Sequence, residues 1–126
     1  MARSNASIEM ASEHTVCPTY TGDLSRSVYA LLDIPAVAPG IYHLVNEGEC
    51  TWFELSKAIF EILGTETEII PVDRGGRTGD MRRPLYSVLA NSKARRLGVS
   101  LPPWPDALRR YMQEKYGVGG VAARNR

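Results

Sequence analysis

The sequence predicts a mixed α/β domain with few short strands and packed helices. Three observations point there. Several segments carry apolar residues at helical spacing with matching caps or a first-turn proline, and two short β-branched runs lie between them. The strands are too few for a complete dinucleotide-binding sheet. The third observation is size: 126 residues make one domain with room for a core, not two full ones. Fifteen Lys+Arg against 14 Asp+Glu leave a net charge of +1, unlike a strongly basic nucleic-acid binder or an acidic tail. No apolar run approaches the ~20 residues of a membrane span. Neither nucleic acid nor membrane is therefore expected as a partner, and the polar N-terminus, without a secretory apolar core, makes the cytoplasm the expected compartment.

Residues 1–12 are polar and aperiodic and are expected to be a disordered lead-in. Thr15-Val16-Cys17 suits a short extended piece, stopped by Pro18. Over residues 23–33, Leu24, Val28, Leu31 and Leu32 share one helical face, with Thr21 as N-cap and Asp23 in the positive first turn. Residues 34–40 hold two prolines and a glycine and read as a loop. Ile41-Tyr42-His43-Leu44-Val45 reads as a buried strand, and residues 46–49 as a turn. Thr51-Trp52-Phe53-Glu54 is a capping box. Leu55, Ile59, Ile62 and Leu63 continue it as an apolar stripe to Gly64, the expected C-terminal stop.

Thr67–Val72 reads as a second strand. Residues 73–83 are glycine-rich and charged, a composition that suits a mobile loop, and residues 87–89 suit a third extended piece. Asn91 caps a short helix over 92–97, ended by Gly98. Pro105 opens a helix over 105–115 with Leu108, Tyr111 and Met112 on one face. Residues 117–126 read as a disordered tail, which leaves 13–116 as the domain.

Few residues advertise chemistry. Cys17 and Cys50 could pair, but two buried free thiols are favoured in a chain without a secretion signal. His14 and His43 lack metal-ligand spacing, so no metal site is expected, and His43 reads as a structural strand residue. The GxGxxG pattern that cradles a dinucleotide is absent; Gly75, Gly76 and Gly79 have the wrong spacing. Tyr111 and Lys115 form a Tyr-x-x-x-Lys pattern, read as coincidence because Tyr111 falls on an apolar stripe. Arg74, Arg77, Arg82 and Arg83 crowd the glycine-rich loop beside Asp73 and Asp80. They suit either a solvated basic loop or a contact with a diphosphate or nucleotide.

Four segments, in order, resemble the dTDP-4-dehydrorhamnose reductases. They are Cys17-Pro18-Thr19-Tyr20-Thr21-Gly22-Asp23-Leu24, the stretch from Gly40 to Trp52, the stretch Arg83-Pro84-Leu85-Tyr86-Ser87-Val88-Leu89 with Lys93 and Leu97-Gly98, and Leu101-Pro102-Pro103-Trp104-Pro105-Asp106-Ala107-Leu108. The resemblance covers residues 13–116. It implies the C-terminal substrate-binding portion of an extended short-chain dehydrogenase, without a complete Rossmann sheet. In the whole family enzyme, NADPH would deliver hydride to the C4 keto group of dTDP-4-dehydro-L-rhamnose and a tyrosine would protonate the oxygen. The motifs for both would precede this portion, so this chain alone is expected to hold no catalytic or cofactor-binding residue and to be inactive. Arg83, in the matched Arg-Pro, and Trp52 are the substrate contacts carried over. The implied partners are a dTDP-linked deoxysugar and a separate N-terminal Rossmann half, or self-association. A non-catalytic module similar to the regulatory subunit of methionine adenosyltransferase is the alternative. The chain departs from the family pattern at Val16, at Cys17 in place of serine, at Glu13-His14 in place of an acidic–glutamine pair, and in the glycine-rich loop.

Overall fold

A computed structural model describes residues 7–118. The first departure from expectation comes at once. Residues 7–11 are not a lead-in: Ser7–Ala11 is a strand, β1. It pairs in parallel with β4, Glu68–Val72, so that Ile8 faces Ile69 and Met10 faces Pro71. Five residues alternating polar and apolar are too short to announce a strand; the partner lies some sixty residues away and supplies the ladder. Pro71 is tolerated because a two-stranded ladder leaves alternate N–H groups outside the pairing.

The remaining elements follow in order. β2 is Thr15–Val16 and α1 is Thr21–Leu32. β3, Cys50–Thr51, pairs antiparallel with β2, and α2 spans Trp52–Leu63. After β4 come β5 (Arg77–Thr78) and β6 (Met81–Arg82), then α3 (Ser92–Arg96) and α4 (Trp104–Tyr116). Among the described residues the strands form three two-stranded ladders and no larger sheet. α2 packs against β1, β4 and α4.

The capping box is present as read: Thr51 Oγ1 accepts from Glu54 N at 3.1 Å, and Thr51 N donates to Glu54 Oε2 at 2.7 Å. Gly64 ends α2 in the left-handed region at φ 66°, where a side chain would be strained. Thr51→Ala is expected to lower stability by about 1 kcal/mol. Chemical denaturation checks this, and an unchanged midpoint would mean that packing alone holds the helix.

Three more readings change. Tyr20, not Thr21, is the N-cap of α1, and its face is split: Asp23 and Ser27 are buried while Val28 and Leu32 are exposed. Residues 73–83 are not a plain loop but a hairpin, with Arg77 opposite Arg82 and Thr78 opposite Met81. Its two-residue connection puts Gly79 at φ 60° with Asp80 in an ordinary conformation, which matches the type II′ turn that follows strand twist. Gly117 terminates α4 in the left-handed region rather than opening a tail. Residues 1–6 of the expected lead-in and 119–126 of the expected tail lie outside the described residues.

The remaining change matters most. Residues 41–45 form no strand. Ile41 is 80% exposed and His43 is also exposed. The Asn91 side chain takes the place of a neighbouring strand: its Oδ1 accepts from Val45 N at 2.9 Å and its Nδ2 donates to Val45 O at 2.7 Å. Asn91 thereby spends its side chain on Val45 and makes no capping bond to α3.

Candidate functional site

β2 sits between two neighbours. On one side is β3. On the other, Thr15 N donates to Leu85 O at 2.8 Å and Ser87 N donates to Thr15 O at 3.0 Å. Tyr86 donates to Glu49 Oε2 at 2.7 Å, linking the two neighbours across β2. Trp52 follows Thr51, the register partner of Thr15, and Arg83 precedes the Leu85–Ser87 segment. Both sequence-predicted contacts therefore stand at the same end of β2, on opposite sides of it. Trp52 is 45% exposed at the first turn of α2, and Arg83 is exposed. Among the described residues no hydrogen bond or ring contact joins the two side chains.

Glu13 and His14 lie between them and fix the root of the arginine hairpin. Glu13 Oε1 accepts from Arg74 N at 3.1 Å and Gly76 N at 3.4 Å. His14 Nδ1 lies 2.9 Å from Pro84 O, and Arg83 N donates to Gly76 O at 2.9 Å. The Glu13 side chain is 8% exposed, with Oε2 buried and without a hydrogen-bond partner among the described residues. Backbone N–H groups, first its own and then those of Arg74 and Gly76, hold its carboxyl below the usual range against the opposing effect of burial. Sequence reading marked Glu13-His14 only as a departure from the family pattern. Its clamping role depends on residues 60 to 70 positions away and has no local signature.

Past the other end of β2 lies a polar hub. Asp23 is 3% exposed and meets Arg110 through two bonds of 2.7 Å, Arg26 at 2.6 Å and Asn46 Nδ2 at 2.8 Å. Arg110 first, then Asn46 and Arg26, push its carboxyl far below the usual carboxylate range. Asn46, 1% exposed, also donates to Pro102 O at 2.9 Å and accepts from Tyr20 N at 2.8 Å. Glu47 receives two bonds from Arg95 Nη2, at 2.7 and 2.8 Å. The segment 45–47 is thus an extended thread, held at Val45 by the Asn91 side chain and at Glu47 by backbone bonds to Pro102 and Trp104.

A separate apolar groove of about 270 Å³ is lined by Pro18, Tyr20, Leu55, Ile59, Trp104 and Tyr111; neither Arg83 nor Trp52 borders it. Tyr111 is 37% exposed rather than core, in edge contact with Tyr20 and Tyr116. Both cysteines are free, but only Cys50 is buried as expected, Cys17 being half-buried; burial pushes the Cys50 thiol up to about 11. Among the described residues no three His, Cys, Asp or Glu side chains are grouped to hold a metal ion, and no helix is long and apolar enough to cross a membrane.

Comparison with known proteins decides the family. The profile described as "RmlD substrate binding domain" matches residues 1–116. The chain belongs to that family. It is 37% identical over 115 residues to the spore coat polysaccharide biosynthesis protein SpsK of Bacillus subtilis, and 31% identical over 110 residues to a dTDP-4-dehydrorhamnose reductase of Mycolicibacterium smegmatis. These alignments take in 91% and 86% of the chain but only 40% and 33% of those proteins. The fold also matches the dTDP-4-dehydrorhamnose reductase of Bacillus anthracis, solved with NADP, at a TM-score of 0.75 and 29% identity. The Clostridium acetobutylicum reductase gives 0.76 and 25%. Each structural match covers 86% of this chain and 38% of the other.

The family resemblance implies NADPH in the whole enzyme, and the described residues do not fit it. A dinucleotide's pyrophosphate calls for bare backbone N–H groups at a helix N-terminus after a glycine-rich turn. Here Gly75, Gly76 and Gly79 belong to the β5–β6 hairpin and its root, and the next helix is the five-residue α3.

Proposed function

We propose that this chain is the nucleotide-sugar-binding part of a dTDP-4-keto-deoxysugar reductase, with Arg83 and Trp52 as contacts, and that it is inactive alone. The supporting observation is the family match across residues 1–116 with a fold shared with reductases. Arg83 offers a guanidinium with no protein partner among the described residues, suited to a phosphate oxygen. Trp52 offers an exposed indole at the same end of β2, suited to stacking on a base or sugar ring. The cytoplasm, where nucleotide-sugars are made, is the compartment that goes with this reading.

Isothermal titration of the chain with dTDP-rhamnose is expected to show binding. Arg83→Ala should weaken it about tenfold, or about 1.4 kcal/mol, for one lost charge-assisted bond. No binding at millimolar ligand, or full affinity in the variant, would count against the site. NADPH oxidation with the 4-keto sugar should be undetectable with this chain alone; measurable turnover would overturn that part of the reading.

A second reading, a non-catalytic binding module, draws on one feature. Tyr29, Leu32, Ile41, Leu85 and Tyr86 are exposed, and apolar surface of this kind commonly meets a partner. A Rossmann half supplied by another chain, or a second copy, would serve. Sedimentation at rising concentration distinguishes self-association from a monomer awaiting a different partner.

A further inference from the structure

The β5–β6 hairpin holds an electrostatic conflict. Arg77 and Arg82 are direct register partners. Opposed residues of an antiparallel pair project from one face, with Cβ atoms about 5 Å apart. Like charges so placed destabilise the pairing. Elsewhere, Arg26, Arg74, Arg95, Arg109 and Arg110 each meet a carboxylate. Among the described residues Arg77 and Arg82 meet none. The nearby acids do not relieve them: Glu9 is paired with Arg74, Asp73 accepts from Gly75 N, Glu13 accepts from backbone N–H groups, and Asp80 in the turn bonds neither arginine.

The root of this hairpin is held in place by Glu13, His14 and the Arg83–Gly76 bond. Two cations are thus presented side by side on an anchored two-stranded arm. A multivalent oxyanion between them would turn the repulsion into attraction, because each guanidinium presents a planar fork of N–H donors. A single carboxylate would neutralise one charge; a diphosphate carries enough charge and enough oxygens for both.

We propose that Arg77 and Arg82 form a cross-strand fork that binds the diphosphate of a phosphorylated ligand, alongside Arg83, the next residue in sequence. Insofar as that ligand is a nucleotide-sugar, the proposal rests on the reading above.

Titration calorimetry with inorganic pyrophosphate and with dTDP-rhamnose, on the full chain and on R77Q/R82Q and R83A, tests both. R77Q/R82Q is expected to weaken both ligands at least tenfold. Its thermal midpoint should stay equal or rise, since the opposed charges are gone. Wild-type affinity for both ligands in R77Q/R82Q would overturn the fork, as would absence of pyrophosphate binding to the wild type at millimolar ligand. Pyrophosphate binding lost in R77Q/R82Q, with no dTDP-rhamnose binding to the wild type, would support the fork and overturn the nucleotide-sugar reading. Binding of dTDP-rhamnose lost in R83A but intact in R77Q/R82Q would do the reverse.

Discussion

Asp23→Ala is expected to cost about 3 kcal/mol of folding stability, the lower end of what removing one partner of a buried ion pair costs. Arg110 keeps about a third of its side chain in solvent, which softens the loss. The variant leaves the Arg110 fork, Arg26 and the Asn46 amide without their shared acceptor. For a domain of this size the thermal midpoint should fall by about 10–15 °C. A fall of only a degree or two would show that the network contributes little net stability. The pH dependence has a defined sign. Arg110 and its neighbours lower the folded carboxyl below its ordinary 3.8. The resulting stabilisation is complete above that value and is lost as pH falls from there through the lower folded value. Wild-type stability should therefore decline below about pH 4 more steeply than that of Asp23→Ala. Parallel acid-limb curves for the two proteins would contradict this.

Asn46→Ala should cost a comparable amount, about 3 kcal/mol. It strands the Tyr20 N–H, and an unsatisfied buried polar group costs about 1–3 kcal/mol; it also removes one donor each from the Pro102 carbonyl and Asp23 Oδ2, which keep Glu47 N and Arg110 Nη2. Asn46→Asp is the more damaging change at nearly the same volume. It replaces two donated bonds with a carboxylate facing Asp23 Oδ2 and Pro102 O. Loss of cooperative unfolding in the aspartate variant, with a folded but weakened alanine variant, is the expected pattern. The Asp23→Ala/Asn46→Ala double variant should lose less than the sum of the singles, because the two share a direct bond. Strict additivity would separate the two residues energetically.

These effects are large because the buried set is unusually polar. His14, Asp23, Ser27, Asn46, Ser56 and Asn91 are buried alongside Cys50, Ala94, Val99, Leu101, Ala107 and Met112. Few apolar residues fill this centre, and hydrogen-bonded polar side chains help to set the relative positions of α1, the 45–47 thread, α3 and α4.

Sequence reading handled the candidate site unevenly. Trp52 and Arg83 came from motif resemblance, and the fold places them at one end of β2. The fork was visible only as a basic cluster. Six residues from Arg77 to Arg82 can lie along a loop, where like charges drift apart. Only the turn at Gly79-Asp80 brings those two face to face. Asp23 was read as a helix-dipole residue; its bonds to Arg110, 87 positions away, are what define it.

The amino-acid order alone pointed to β2, α1, α2, β4, α3, α4 and the family resemblance. Capping boxes, left-handed glycines and 3.6-residue periodicity act within a turn or two of chain and are legible wherever they occur. Tertiary structure decided the rest. A five-residue polar–apolar alternation became β1 because β4 lay beside it. The apolar run at 41–45 stayed outside any ladder because Asn91 took the hydrogen-bonding groups of Val45 and no strand among the described residues adjoins it. A strand requires a partner for its backbone donors and acceptors, and that partner is supplied by distant parts of the chain.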